Sequence, residues 1–259
     1  WALAGAVDLC GDLRAVALHQ AVRPFSPSVR LSPFDPAADG TLPGEGAVAL
    51  VLKRLDRALA DRDRVIAVVR GIGAAGGGGI DSETPSRDAY RRSLAGALAE
   101  ARVDPAGIGC IEAHGSGIPA EDALESELLG GYARSLGEDV RPGSAKSVCG
   151  HTGAAAGLVS VVKAALCVCH DVIPPRVRAS GRRPPPRRFA AAPGAAPRRA
   201  LAACMTDDGN CMHVVLESVG SAAAWPTKDD RSSDPQPPTR RAASIRIPVA
   251  GAPLIVPPF

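Results

Sequence analysis

GSAKSVCGHTGAAAGLVSVVKAALCVC (Gly143–Cys169) decides the reading of this sequence. From Ala154 to Cys169 it reads as a helix that is apolar nearly all round, which predicts a central, buried element. Gly150-His151-Thr152-Gly153 stands directly before it. The partial positive charge at a helix N-terminus disfavours protonation of His151. A neutral ring there can donate one N–H to a carbonyl oxygen, a known catalytic device. Lys146 lies among Gly, Ser, Ala and Cys, which predicts a tight, partly buried turn; a solvated surface lysine is the alternative. A buried ammonium needs a carboxylate partner. Glu125 is the candidate, while Asp122 could instead cap its own helix.

Working outward, Ala47–Leu52 (AVALVL) reads as a buried strand and Val65–Val69 (VIAVV) as a second apolar run ended by Gly71 and Gly73. Gly73–Asp81 reads as a flexible loop. Thr84-Pro85 reads as an N-cap followed by a proline in the first helical position, opening a helix to about Arg102 with Leu94, Leu98 and Ala101 on its apolar stripe. Ile108–Glu112 is a predicted short strand and Glu121–Leu129 a helix weakened at Gly130-Gly131. Cys211–Leu216 is the last predicted strand. Strands alternating with helices argue for a layered α/β fold. His114 falls at the carboxyl end of a strand, before Gly115-Ser116-Gly117, the end where α/β folds assemble ligand sites. On spacing alone, the alternative is that His114 and His151 are packed or solvated histidines.

Composition narrows the classes. The 259 residues hold four Phe, two Trp and two Tyr, so the core must be aliphatic. A net charge of +3 is too even for a dedicated nucleic-acid binder, and only Phe189 stands in the arginine-rich stretch for stacking. No uninterrupted apolar run reaches the roughly 18–20 residues that span a bilayer; the longest, Gly153–Val162, stops at Lys163. Seven cysteines without a CxxC pair read as reduced thiols, hence a cytoplasmic setting, rather than as a disulfide or zinc framework. The chain opens at Trp1 inside what reads as a strand, as expected of part of a longer polypeptide. Arg176–Arg199 carries eight arginines and no acid. It reads as a proline-stiffened, solvated loop, or as a surface for an acidic partner. Residues 219–259 are rich in Pro, Ser, Ala and charge and read as a disordered linker following a domain over 1–218.

Four blocks carry a family resemblance. PFDPAADGTLPGEGAVALVLKRL (Pro33–Leu55) resembles the region after the nucleophile of β-ketoacyl synthases. IEAHGSGIPAEDALESELL (Ile111–Leu129) resembles their first histidine motif, GSAKSVCGHTGAAAGLVSVVKAAL (Gly143–Leu166) their lysine and second histidine motif, and NCMHVVLE (Asn210–Glu217) their closing strand. The wording is most similar to the ketosynthases of polyketide and polyunsaturated fatty acid synthases. The resemblance implies a thiolase-like layered α-β-α-β-α fold, mainly its C-terminal half. It also implies decarboxylative condensation of an acyl thioester with malonyl-carrier protein. His114 and His151 would be the paired donors, Lys146 and Glu125 the groups that hold them, and Ser116 and Asn210 substrate-binding residues. It implies no bound cofactor beyond the phosphopantetheine arm of an acyl carrier protein, and a homodimer. The family's active cysteine, in a TACSS-like segment, is expected shortly before Trp1, leaving the isolated chain inactive; Cys10 lacks that context.

Departures from the family pattern support a rival. Ile118 replaces a threonine, Glu121 stands where glycine is usual, and MTDDGNC (Met205–Cys211) replaces FGFGGTN, so that the gating phenylalanines become Met205 and Asp207. The rival is a non-condensing partner of the chain-length-factor type or a structural piece; a third reading is decarboxylation alone.

Overall fold

The computed structural model describes residues 1–10, 12–77, 86–135, 142–175, 185–189 and 197–219. In order these form β1 (Ala2–Asp8), α1 (Leu13–Val22), β2 (Gly46–Leu52), α2 (Leu55–Ala60), β3 (Val68–Ala75), α3 (Arg87–Ala101), β4 (Cys110–Glu112), α4 (Pro119–Ser135), α5 (Lys146–Cys149), α6 (Ala156–His170), β5 (Arg199–Met205) and β6 (Cys211–Glu217). Strands β1 and β2 form an antiparallel pair. The other four make a sheet in the order β3-β6-β5-β4, with β4 and β5 parallel and the remaining pairs antiparallel.

Alternation along β5 and β6 builds a core on each face of this sheet. Leu201, Met205, Cys211 and Val215 face a cluster with Tyr90, Leu94 and Leu98 of α3 and Leu128 and Leu129 of α4. Ala200, Ala202 and Leu216 face Ala164, Cys167 and Val168 of α6. Burying each large aliphatic side chain contributes roughly 1.5–3 kcal/mol. Helix α3 seats tightly because β3 is thin: a Cβ on Gly73 would lie 1.8 Å from the Ser93 carbonyl oxygen. Beyond Glu112 the chain keeps pairing, Ala113 donating its N–H to Gly143 O at 2.8 Å and Gly143 to Ile111 O at 2.9 Å.

Several expectations need correction. The glycines at 71 and 73 do not end a strand; β3 runs through them to Ala75, since close helix packing there requires glycine. Helix α3 starts at Arg87, where Ser86 accepts the Ala89 N–H; Thr84-Pro85 lies outside the described residues, as do 78–81 of the expected loop. Gly130-Gly131 does not stop α4, which continues to Ser135. Strand β2 is half exposed rather than buried, because β1 is its only sheet neighbour among the described residues. Helix α6 buries one face only: Ser160, Ala164, Cys167 and Val168 are covered while Leu166 is 43 % exposed. Gly153–His170 has a mean hydropathy of 1.6 and is long and apolar enough to cross a membrane. Here it lies on the sheet, and its Lys163 pairs with Glu112 at 2.6 Å. Helices α1 and α2 and strand β5 carry no pattern that announces them.

Within the arginine-rich segment, Arg188 pairs with Asp171 at 2.9 Å, Arg199 with Glu217 at 2.7 Å, and Arg198 donates to Val168 O. Phe189 is packed in the α6 core rather than open for stacking. Residues 176–184, 190–196 and 220–259 lie outside the described residues, and with them the expected linker.

Candidate active site

The geometry begins at the tip of β4. His114 is fully buried, and its backbone is gripped by Glu125, which accepts the N–H of His114 and that of Gly115, each at 2.8 Å. Tyr90 O–H donates to the same carboxylate at 2.9 Å. From the opposite side, Lys146 Nζ donates to the His114 carbonyl oxygen at 2.6 Å. Gly115 adopts φ +46°, and a Cβ there would lie 2.7 Å from Ser144 Cβ, so the turn that aims His114 needs glycine.

The two histidine rings meet edge to face with centroids 5.5 Å apart. His114 Nδ1 accepts the main-chain N–H of Met205 at 3.1 Å, and His151 Nδ1 accepts that of Gly153 at 3.2 Å. An acceptor Nδ1 puts the proton of a neutral ring on Nε2. Both Nε2 atoms are buried without a hydrogen-bond partner, leaving two unspent donors. His151 is fixed through its main chain, donating to Leu42 O at 2.7 Å and accepting from Gly44 N–H at 2.9 Å.

Electrostatics keep both rings neutral. Burial first, then the Lys146 ammonium, push His114 down to about 3, while Glu121 pulls the other way. The same two causes, burial first, hold His151 well below the usual histidine range. Burial also lowers the Lys146 ammonium, raises the Glu125 carboxyl to about 7 and raises Asp122 to about 6.

The expected Lys146–Glu125 ion pair is not formed among the described residues; the two groups instead hold His114 from its carbonyl and its amide sides. Two amides and a phenol take three of the carboxylate's roughly four acceptor positions. Asp122 does not cap α4 from in front. It sits in the first turn and accepts Phe34 N–H at 2.8 Å and Gly117 N–H at 3.3 Å. Ser116 is buried, and its Oγ accepts the Ile118 N–H. Asn210 is exposed in the β5–β6 turn and donates to Asp208 at 2.7 Å. Neither lines the cavity of about 460 Å³ whose walls include His19, Arg23, His151, Cys204 and Asp207. Cys10 is buried.

One charged residue of the site escaped sequence reasoning. Arg23, just past α1, binds both oxygens of Glu121 at 2.9 and 3.0 Å and also pairs with Asp207. Glu121 Oε2 lies 3.5 Å from His114 Nε2. A contact spanning 98 residues leaves no local pattern to read. Among the described residues no group of three or more His, Cys, Asp or Glu could hold a metal ion.

Comparison with known proteins covers the Pro33–Leu55, Ile111–Leu129 and Gly143–Leu166 blocks. Residues 1–58 match the N-terminal domain of beta-ketoacyl synthase and residues 66–180 its C-terminal domain. The chain is 43% identical over 176 residues to a mycocerosic acid synthase-like polyketide synthase of Mycolicibacterium smegmatis, a match covering 67% of this chain and 8% of that protein. It is 38% identical over 239 residues to a phenolphthiocerol/phthiocerol polyketide synthase of Mycobacterium tuberculosis, covering 86% of this chain and 13% of that one. Among solved structures, the ketosynthase from module 6 of the bacillaene synthase of Bacillus subtilis 168 superposes with a TM-score of 0.75 at 30% identity, over 84% of this chain and 42% of that chain. This chain therefore spans less than half of the solved ketosynthase and a small share of the curated relatives. The layered α/β arrangement is the thiolase-like one of those ketosynthases, and the chain belongs to the β-ketoacyl synthase family.

Proposed function

We propose that this chain contributes the histidine pair and lysine of a β-ketoacyl-carrier protein synthase acting in polyketide or fatty acid biosynthesis. The observation that carries the reading is the pair of neutral rings, each with its Nδ1 satisfied by a backbone amide and its Nε2–H unspent, 5.5 Å apart. In this reading a malonyl thioester, brought on the phosphopantetheine arm of an acyl carrier protein, loses its carboxyl group as carbon dioxide. The electrons of the broken C–C bond pass to an enolate. His114 and His151 donate their Nε2–H groups to the enolate oxygen, the kind of preorganised stabilisation worth about 10²–10³ in rate per donor. The enolate carbon then attacks an acyl thioester on a cysteine, the new C–C bond forms, and the cysteine thiolate leaves. That cysteine, the homodimer and a cytoplasmic setting are part of the proposal, as are Ser116 and Asn210 as contacts of the arm.

The experiment supplies an acyl thioester and malonyl-carrier protein to the full polypeptide that carries this chain. A ketoacyl product is expected, falling about 10²–10³-fold in His114→Ala and in His151→Ala. Carbon dioxide release without product identifies a decarboxylase. Neither product nor carbon dioxide from the folded wild type leaves the non-condensing reading, which the departures at Glu121 and Met205–Cys211 from the family wording motivate.

A further inference from the structure

We propose that Arg23 acts as a positioning residue for His114: Glu121 faces the Nε2–H, and Arg23 holds and neutralises that carboxylate so that the ring remains an uncharged, available donor.

The geometry sets up a conflict that Arg23 resolves. A carboxylate oxygen 3.5 Å from a buried imidazole nitrogen favours the imidazolium. It also invites the N–H to close onto the carboxylate. Either outcome would consume the donor that the proposed chemistry needs. Arg23 opposes both by drawing on the same carboxylate. Its Nη1 spans the two Glu121 oxygens, and the Arg23 and Glu121 side chains are each only 9 % exposed, so the pair is little screened. Arg23 Nε is held in turn by Asp207 of the β5–β6 turn, which is 47 % exposed and therefore water-screened. Seen from His114, the buried sum of Arg23 and Glu121 is close to zero.

The remaining groups around the ring point the same way. Lys146 from α5 disfavours a second positive charge, and His151 adds an uncharged neighbour. Glu125 of α4 spends its oxygens on the backbone amides and Tyr90 rather than on the ring. Met205 of β5 fills Nδ1. Glu121, held down to about 2, is thus the full negative charge that directly faces Nε2 among the described residues, and Arg23 is its counter-ion.

This deepens the reading of His114 as a donor, and its test reads the ring rather than turnover, so it stands or falls separately from condensing activity. The full chain, labelled at histidine, is titrated by NMR, with far-UV circular dichroism as the check on folding. In wild type the His114 ring should titrate near 3. In Arg23→Gln it should titrate at least about one pH unit higher, since the carboxylate loses its counter-ion. The double variant Arg23→Gln, Glu121→Gln should lose that rise, because the carboxylate that causes it is gone. If Arg23→Gln does not fold, Arg23→Lys serves in its place: a single-point ammonium shields the two oxygens less well, so a smaller upward step is expected. A His114 ring that titrates as in wild type in the folded arginine variant, or a rise that persists in the double variant, overturns the proposal.

Discussion

The main-chain N–H of Met205 donates to Nδ1 of His114 across 3.1 Å. The tautomer of a histidine at the tip of β4 is therefore set by the last residue of β5, and by its backbone rather than its side chain. Met205 is itself 2 % exposed and packed in the α3-side core. Met205→Ala should cost about 2–5 kcal/mol of stability through the cavity it leaves, measured by urea denaturation. The His114 ring should keep its Nε2–H tautomer, read from ring nitrogen chemical shifts.

Lys146 acts on both rings at once. It is the second cause, after burial, of the lowering at His114 and at His151. Lys146→Met should raise the titration of both rings, followed by histidine NMR, and should leave the His114 carbonyl with Ser144 Oγ as its side-chain donor. Retention of both low values in a folded variant would show that burial alone keeps the rings neutral.

Glu125 gives the site a pH signature. Burial raises its carboxyl from 4.5 to about 7 against the pull of two amides and Tyr90. The folded state then holds this proton more tightly than the unfolded chain does. The stabilisation that goes with it is complete below pH 4.5 and is lost as pH rises through about 7. Glu125→Gln cannot titrate there. Across that window wild type should lose stability relative to the variant, by up to about 3 kcal/mol, as measured by denaturation at a series of pH values.

Gly115 holds the first histidine loop in a conformation that resists a side chain. With φ at +46° and Ser144 Cβ 2.7 Å from any added Cβ, Gly115→Ala should cost about 1–3 kcal/mol, measured by urea denaturation. Because Glu125 holds the Gly115 amide, the shift should also move the His114 resonances in NMR spectra.

How much of this was legible in the sequence depends on how far apart the partners lie. His114 and His151 were readable because each sits in a glycine-framed turn beside a regular element, and the motif wording survives around them. Helix α6 was readable from its composition, but its burial was overestimated, because hydrophobicity reports what a face could bury and not what covers it. Strand β5, RALAACM, is dominated by alanine; it lacks the β-branched and aromatic residues that mark strands and is held as one by two flanking neighbours. Helix α1, LRAVALHQAV, buries no residue among those described, so no apolar stripe announced it. Glu121 and Asp207 drew notice as departures, yet their meaning rests on Arg23, which no local spacing connects to either.

The order of the four-stranded sheet sets a timetable for synthesis. Its two inner members, β5 and β6, are the last to be translated, and its rims, β3 and β4, the first. While the chain is still emerging, the rims have nothing to pair with each other through, and His114 lacks the amide that selects its tautomer until residue 205 has left the ribosome. A truncation that ends between residues 151 and 205 yields a polypeptide with both histidines present and the first of them unset.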